Sequence, residues 1–186
     1  MFVPSSPYRE PGFGAWKQGL EALPPSEVLI REAEETAQDG RWMRWIQAGC
    51  ESTYIQSVEY NVSKIAQQFV LLAEIADCPV GLCCVAAGRT DSDPIFIQLV
   101  AVVPSARRRG VGLALLSAAA GWQPQRDIAM ATLDDNVAAR RLNKRFAQSI
   151  GGDIQRVPVR RFRPFDLGIA PGEHHRPWMI DRQKHA

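Results

Sequence analysis

The feature that most constrains this chain is one continuous stretch, residues 95 to 122. An apolar run from Ile95 to Val103 stops at Pro104, a polar loop carries Arg107, Arg108 and Arg109, and a second apolar run fills Val111 to Trp122. The first run predicts a buried strand and the second a helix that is apolar nearly all round and therefore buried. A helix start presents unpaired N–H groups and a partial positive charge. Gly110 and Gly112 remove the side chains that would keep an anion from those groups. Three guanidinium groups add forked donors that suit phosphate oxygens. The stretch therefore predicts an anion site, and a diphosphate fits it best.

Three phosphate-binding patterns compete for this loop. A P-loop requires Lys and Ser or Thr after its last glycine, and no Lys follows these glycines. The dinucleotide fingerprint requires glycine at position 115, where the chain has Leu115. What remains is Arg107-x-x-Gly110-x-Gly112 behind a strand that ends in Val-Pro. Without a functional role, the same residues describe an ordinary strand–turn–helix with a solvated arginine cluster.

The remaining elements give this stretch a context. Residues 1–26 hold five prolines and three glycines, which predicts an irregular arm, although Phe2, Tyr8, Phe13 and Trp16 suit packing onto a domain. Val28 to Ile30 form a short strand. Helices follow over Ala33 to Ala48, and from Ser52, a natural cap, to Gln68. Strands Phe69 to Ile75 and Val80 to Ala87 form a hairpin around Asp77-Cys78-Pro79. After the loop and its helix comes a strand, Ile128 to Leu133. A helix then opens on Asp134-Asp135-Asn136, carries an apolar stripe of Ala138, Leu142, Phe146 and Ile150, and ends at Gly151-Gly152. A last strand, Ile154 to Phe162, is weakened by Pro158. This order predicts an α/β domain over residues 27–163 with a mixed, partly antiparallel central sheet flanked by helices, and a Pro-, Gly- and His-containing tail over 164–186.

Two motifs together, Arg107-x-x-Gly110-x-Gly112 and the later helix start Asn136-Val-Ala-Ala139, resemble the GNAT family of N-acetyltransferases, with agreement in element order from about Val28 to Phe162. The resemblance implies a GNAT-like fold, acetyl-CoA as acyl donor and transfer to a primary amine in a ternary complex. It implies that the backbone of Val102 and Val103 pairs with the pantetheine arm, and that the Val102 N–H polarises the thioester carbonyl. Arg107, Arg108, Arg109, Gly110, Val111 and Gly112 would hold the diphosphate. Asn136, with Ala139 in its motif, would bond the pantetheine amide region, although a plain helix cap explains Asn136 equally well.

The chain departs from the family at its acid and base. Where many relatives have Tyr as proton donor to the leaving thiolate, it has Asn143, whose amide can bond near the sulfur but cannot lose a proton near neutral pH. Where many have a strand Glu, it has Gln98. Three readings stay open. Water steered by Glu74 or Glu59 carries the proton, Tyr54 or Tyr60 replaces the phenol, or the acyl site is kept for binding with poor transfer. Each residue also has an ordinary structural role available, Glu74 as an edge carboxylate and the tyrosines as helix-packing aromatics.

Composition limits the alternatives. Of 186 residues, 46% are hydrophobic and 23% charged, and the net charge is +2, too small for a chain built mainly to coat nucleic acid. No apolar run reaches the roughly 18 residues of a membrane span. The four cysteines form no C-x-x-C and the three histidines fall near the end, so no metal site is expected. Reduced, buried thiols and the lack of a leader-like start fit a cytoplasmic protein, with a homodimer allowed. Arg156, Arg160, Arg161 and Arg163 permit contact with RNA, hence a toxin-like transferase acting on aminoacyl-tRNA, but one solvated face suffices and nucleic acid is not favoured. Trp42, Met43 and Trp45 could shape an acceptor pocket, though core packing explains them as well. The rival function is a weakly catalytic or non-catalytic acyl-CoA-binding regulatory module. The acceptor, a small molecule or a protein amine, is not legible.

Overall fold

The computed structural model describes residues 6–51, 53–170 and 172–182. Seven strands lie in the order β1-β2-β3-β4-β5-β7-β6: β1 (Val28–Glu32), β2 (Phe69–Ile75), β3 (Cys78–Ala86), β4 (Ile95–Val102), β5 (Ile128–Leu133), β6 (Gly152–Arg156) and β7 (His175–Arg182). The α-helices are α1 (Phe13–Glu21), α2 (Ala37–Gly49), α3 (Val58–Gln67), α4 (Val111–Trp122) and α5 (Val137–Ser149). The sheet is mixed: β1–β2, β5–β7 and β6–β7 are antiparallel and β4–β5 is parallel. The expected mixed α/β class holds. Two compact units share the chain, one comprising residues up to Leu82 with Val100–Leu115, the other Cys83–Leu99 with the residues from Leu116 onward.

In the first unit, the arm is more ordered than its prolines suggest. Helix α1 follows a turn over Pro7–Arg9 and buries Phe13, Trp16 and Leu20. Phe13 meets Trp45 of α2 edge-on, with ring centroids 5.7 Å apart. The polar edges of these rings are satisfied: Trp16 Nε1 donates to Pro79 O at 2.9 Å, and Trp45 Nε1 donates to Glu10 Oε2 at 2.7 Å. Glu10 also accepts from Arg44 Nε, at 2.6 Å. Aromatic burial therefore outweighs the local preference for irregular chain. Tight packing on α2 fixes Trp45 and Met43 as core residues, both nearly inaccessible to solvent.

Helix α2 begins four residues later than expected from its apolar spacing. The Ala33 N–H still pairs with Val70 O at 2.8 Å, and the Thr36 side chain caps the helix by accepting from the Asp39 N–H. Helix α3 starts at Val58, where Ser57 accepts from the Tyr60 N–H. The expected cap, Ser52, lies outside the described residues. Between α2 and α3, Asn61 is fully buried, donating to Gly40 O and accepting from Gln47 Nε2. The β2–β3 turn places Ala76 and Asp77 at positive φ, the two-residue geometry that matches strand twist.

In the second unit, residues 175–182, expected as part of a tail, form β7 and insert between β5 and β6. Pro177 and the flanking charges hide this strand from a propensity reading, yet Ile180 is fully buried and Trp178 Nε1 donates to Thr132 Oγ1 at 3.0 Å. Arg182 secures its end by donating to Ala120 O in the last turn of α4 and to Gln123 O just beyond it. Strand β6 stops at Arg156, earlier than expected, because Pro158 lacks an N–H and the chain turns through Val159–Arg161. Helix α5 has the expected cap, Asn136 Oδ1 accepting from the Ala139 N–H at 3.0 Å.

Candidate functional site

The β4–α4 loop is a product of backbone alternation followed by left-handed turns. Along an extended strand successive residues direct their N–H and C=O groups to opposite edges. The Val103 N–H donates to Val80 O at 2.9 Å, so Val102 directs its groups away from β3. The Val103 carbonyl accepts from the Ala106 N–H at 3.0 Å. Both Val103 backbone groups are thus engaged by the fold itself, which leaves the Val102 N–H as the backbone group directed away from β3. On the other edge of β4 the parallel ladder with β5 holds three pairs, from Ile95↔Ile128 to Ile97↔Met130.

After Pro104–Ala106 the chain turns through Arg108 at φ 64 and Gly110 at φ 83. A left-handed conformation at an arginine is uncommon and strained, and such outliers gather at ligand sites. Gly110 faces open space: a Cβ built there would meet nothing within 4 Å. Glycine is required at this position by its φ, not by crowding. The first intrahelical bond runs from the Ala114 N–H to Gly110 O, 2.9 Å, so the amides of Val111, Gly112 and Leu113 have no acceptor within the helix.

The three arginines divide their roles. Arg109 donates to the arm, to Pro24 O at 2.8 Å and Leu23 O at 3.3 Å. Arg107 Nε donates to Val102 O at 3.3 Å. Arg108 is exposed and has no hydrogen-bond or ion-pair partner among the described residues. Free amides at a helix start, an open glycine and one uncommitted guanidinium make a set of donors that fits a diphosphate. Cys50, at the end of α2, lies within electrostatic reach of Arg107, but burial dominates and pushes its thiol up to about 11. It is therefore no nucleophile at neutral pH.

The acid–base candidates fall elsewhere. Glu74 Oε1 accepts from Arg31 Nε at 2.8 Å, while Arg31 also forks onto Asp39 at 2.7 and 2.8 Å. Burial would raise the Asp39 carboxyl, yet Arg31 and the Glu34 N–H outweigh it and hold Asp39 below the usual carboxylate range. A carboxylate held by a guanidinium in this way serves as a structural acceptor. Glu59 is exposed in the first turn of α3. Tyr54 and Tyr60 are 67% and 51% exposed, so neither is a packed helix aromatic. In the second unit Asn136 acts as the α5 cap and Asn143 is buried on the same helix.

Gln98 has a role that sequence alone did not reveal. Its amide nitrogen donates to Phe165 O at 3.2 Å and to Asp166 O at 3.1 Å. Gly168 packs so closely that a Cβ there would lie 2.8 Å from the Gln98 Cβ. Leu167, Phe162 and Ile169 cover Phe96 and Ala129 beside it. The chain after β6 is thus strapped onto the face of β4, and a carboxylate at position 98 would have no proton for those carbonyls. Among the described residues no group of three or more His, Cys, Asp or Glu could hold a metal ion, and no helix is long and apolar enough to cross a membrane.

Comparison with known proteins bears on the fold. The fold resembles the diaminobutyrate acetyltransferase EctA of Paenibacillus lautus, solved with L-2,4-diaminobutyric acid and coenzyme A, at TM-score 0.63 and 20% identity, covering 83% of this chain and 94% of that one. It also resembles yncA of Salmonella typhimurium, solved with its cofactor acetyl-CoA, at TM-score 0.59 and 17% identity over 86% and 96% of the two chains. A third similar structure is the ribosomal-protein-S18-alanine N-acetyltransferase of Escherichia coli, at TM-score 0.57 and 16% identity over 83% and 92%. No curated protein matches the chain significantly. The model of the acetyltransferase (GNAT) family matches residues 29–147, well over half the chain and the whole of the β4–α4 loop, and the protein belongs to that family.

Proposed function

We propose that this protein transfers an acetyl group from acetyl-CoA to a primary amine by direct attack in a ternary complex. The observation that carries the reading is the β4–α4 loop, with Arg108 uncommitted, Gly110 open and the first amides of α4 without helical acceptors. Acetyl-CoA supplies an activated acyl carbonyl when bound. Arg108 and the amides of Val111 and Gly112 bind its diphosphate, while Arg107 and Arg109 shape the loop that presents them. The Val102 N–H, directed away from β3, stabilises the developing oxyanion. The amine's proton leaves to water, since Gln98 cannot take it and Glu74 is tied to Arg31. Losing a positioned acid or base costs roughly a hundred- to ten-thousand-fold, so slow turnover is expected.

Titration calorimetry with acetyl-CoA tests the binding step, and release of free CoA thiol with a panel of amines tests transfer. No detectable binding at millimolar acetyl-CoA would refute the proposal. A second reading, a binding module without transfer, draws on Gln98 and Asn143, and tight cofactor binding with no thiol release for any amine would favour it. The aminoacyl-tRNA reading loses support from the ion pairs. Arg156 pairs with Asp134 and Arg163 with Asp166, which leaves Arg160 and Arg161 of that cluster as its available cations.

A further inference from the structure

A cavity of about 170 Å³ opens in the second unit between the β3–β4 connection and the strap that follows β6. Phe96 and Phe162 line it, in edge-to-face contact at 5.3 Å and 84°. Arg89 of the β3–β4 connection and Arg161 and Arg163 of the strap also line it. The two acids in the lining are already engaged. Asp166 accepts from Arg163 Nε at 2.9 Å, and Asp93 Oδ2 accepts from the Thr90 N–H at 2.9 Å.

Arg89 and Arg161 have no carboxylate partner among the described residues; Arg161 lies over the Phe162 ring at 5.9 Å. The wall that carries Arg161 is held from behind by the Gln98 amide and by the burial of Leu167. Two guanidinium groups without carboxylate partners, lining one pocket with two aromatic rings, match an oxyanion borne on a ring or other apolar body. Phe96 is two residues from Gln98 on the same face of β4, a spacing of about 7 Å.

From this arrangement we infer that the pocket recognises an acceptor carrying an acidic group, a carboxylate or a phosphate, attached to an apolar body. The inference rests on the acetyl-transfer reading only for the word acceptor; anion binding stands by itself. Arg89 and Arg161 grip the oxyanion, and Phe96 and Phe162 receive the apolar part. Simple aliphatic polyamines, which carry no such group, make poor acceptors.

The test uses the full chain with benzoate, phenyl phosphate and, as the neutral control, benzyl alcohol, followed by NMR shifts of backbone amides. Both anions should saturate with shifts centred on residues 87–93 and 161–166, and benzyl alcohol should not. The double variant Arg89→Ala/Arg161→Ala should weaken both at least tenfold. Tighter benzoate assigns a carboxylate, and tighter phenyl phosphate a phosphate. Equal binding of benzyl alcohol, shifts centred elsewhere, or unchanged affinity in the double variant would overturn the inference. Acetyl-CoA affinity is measured on the same samples. If it is absent while the anions bind, acetyl transfer fails and the pocket stands; if it is intact while the anions do not bind, the pocket alone fails.

Discussion

At its C-terminal end β4 passes into a loop that leaves backbone amides and one guanidinium uncommitted, whereas at mid-strand the Gln98 side chain is fully occupied in holding another part of the chain. Both regions belong to the machinery that the family resemblance singles out. The loop keeps its polar groups available because glycine and left-handed turns prevent them from satisfying one another. The strap does the reverse, using Gln98, where the family resemblance leads one to expect a base, as a structural donor.

The largest expected effect tests the open side. Gly110→Val forces a branched residue to φ 83, a strain of roughly 1–3 kcal/mol, and should weaken acetyl-CoA binding about ten- to a hundredfold while circular dichroism stays unchanged. Unaltered affinity in calorimetry would remove the distinction between the two regions. Next, Gln98→Glu should lower turnover instead of restoring a base. Its carboxylate faces two carbonyls, a loss of about 1–3 kcal/mol that hydrogen exchange at residues 165–168 would register as faster opening. Lowering the pH should bring the protection of these amides back toward that of the parent protein at the same pH, as the protonated carboxyl regains a donor; a rise in activity at neutral pH would break the comparison from the other side.

A smaller effect separates the arginines of the loop. Arg108→Ala should raise the acetyl-CoA Kd by about five- to twentyfold and flatten its salt dependence, through the loss of a charged hydrogen bond. Arg109→Ala should leave the Kd within about threefold but speed exchange near Leu23 and Pro24, whose carbonyls it holds. The smallest expected effect concerns stability. Asp39 is held below its unfolded value, so its contribution is complete above the ordinary carboxylate range and is lost as pH falls through the depressed folded value. Asp39→Asn should lower Tm at pH 7 and flatten its decline below about pH 4, as read by calorimetric melting.

How far the fold was legible varies along the chain. The strand–loop–helix from Ile95 to Trp122 could be read from sequence because one run of residues contains its own strand, turn and helix signals. The β5–α5 passage was legible for the same reason, with Asn136 capping where its amide chemistry predicts. Strand β7 was not, because its apolar run is only Trp178-Met179-Ile180 and Pro177 argues against a strand; burial between β5 and β6 overrides both. The helix in the arm was hidden by its neighbouring prolines and revealed only by the aromatic contacts with Trp45. At the candidate site, the type of chemistry was legible and the partners were not. No spacing rule indicates that Arg109 will bind the arm, that the Val103 backbone will close on β3 and Ala106, or that Gln98 will meet Phe165 and Asp166, since each depends on residues brought together by the tertiary fold.

The place of β7 governs how the polypeptide matures during synthesis. Because residues 175–182 lie between β5 and β6, the segment 152–156 leaves the ribosome before the strand it must zip to exists. Until then two strand borders wait unmatched, one of them next to the fully buried Ile128 and Ala129, in a nascent chain open to wrong pairing. Residues 175–182 are therefore the closing stitch of this unit, and removing them should leave an aggregating intermediate rather than a smaller enzyme.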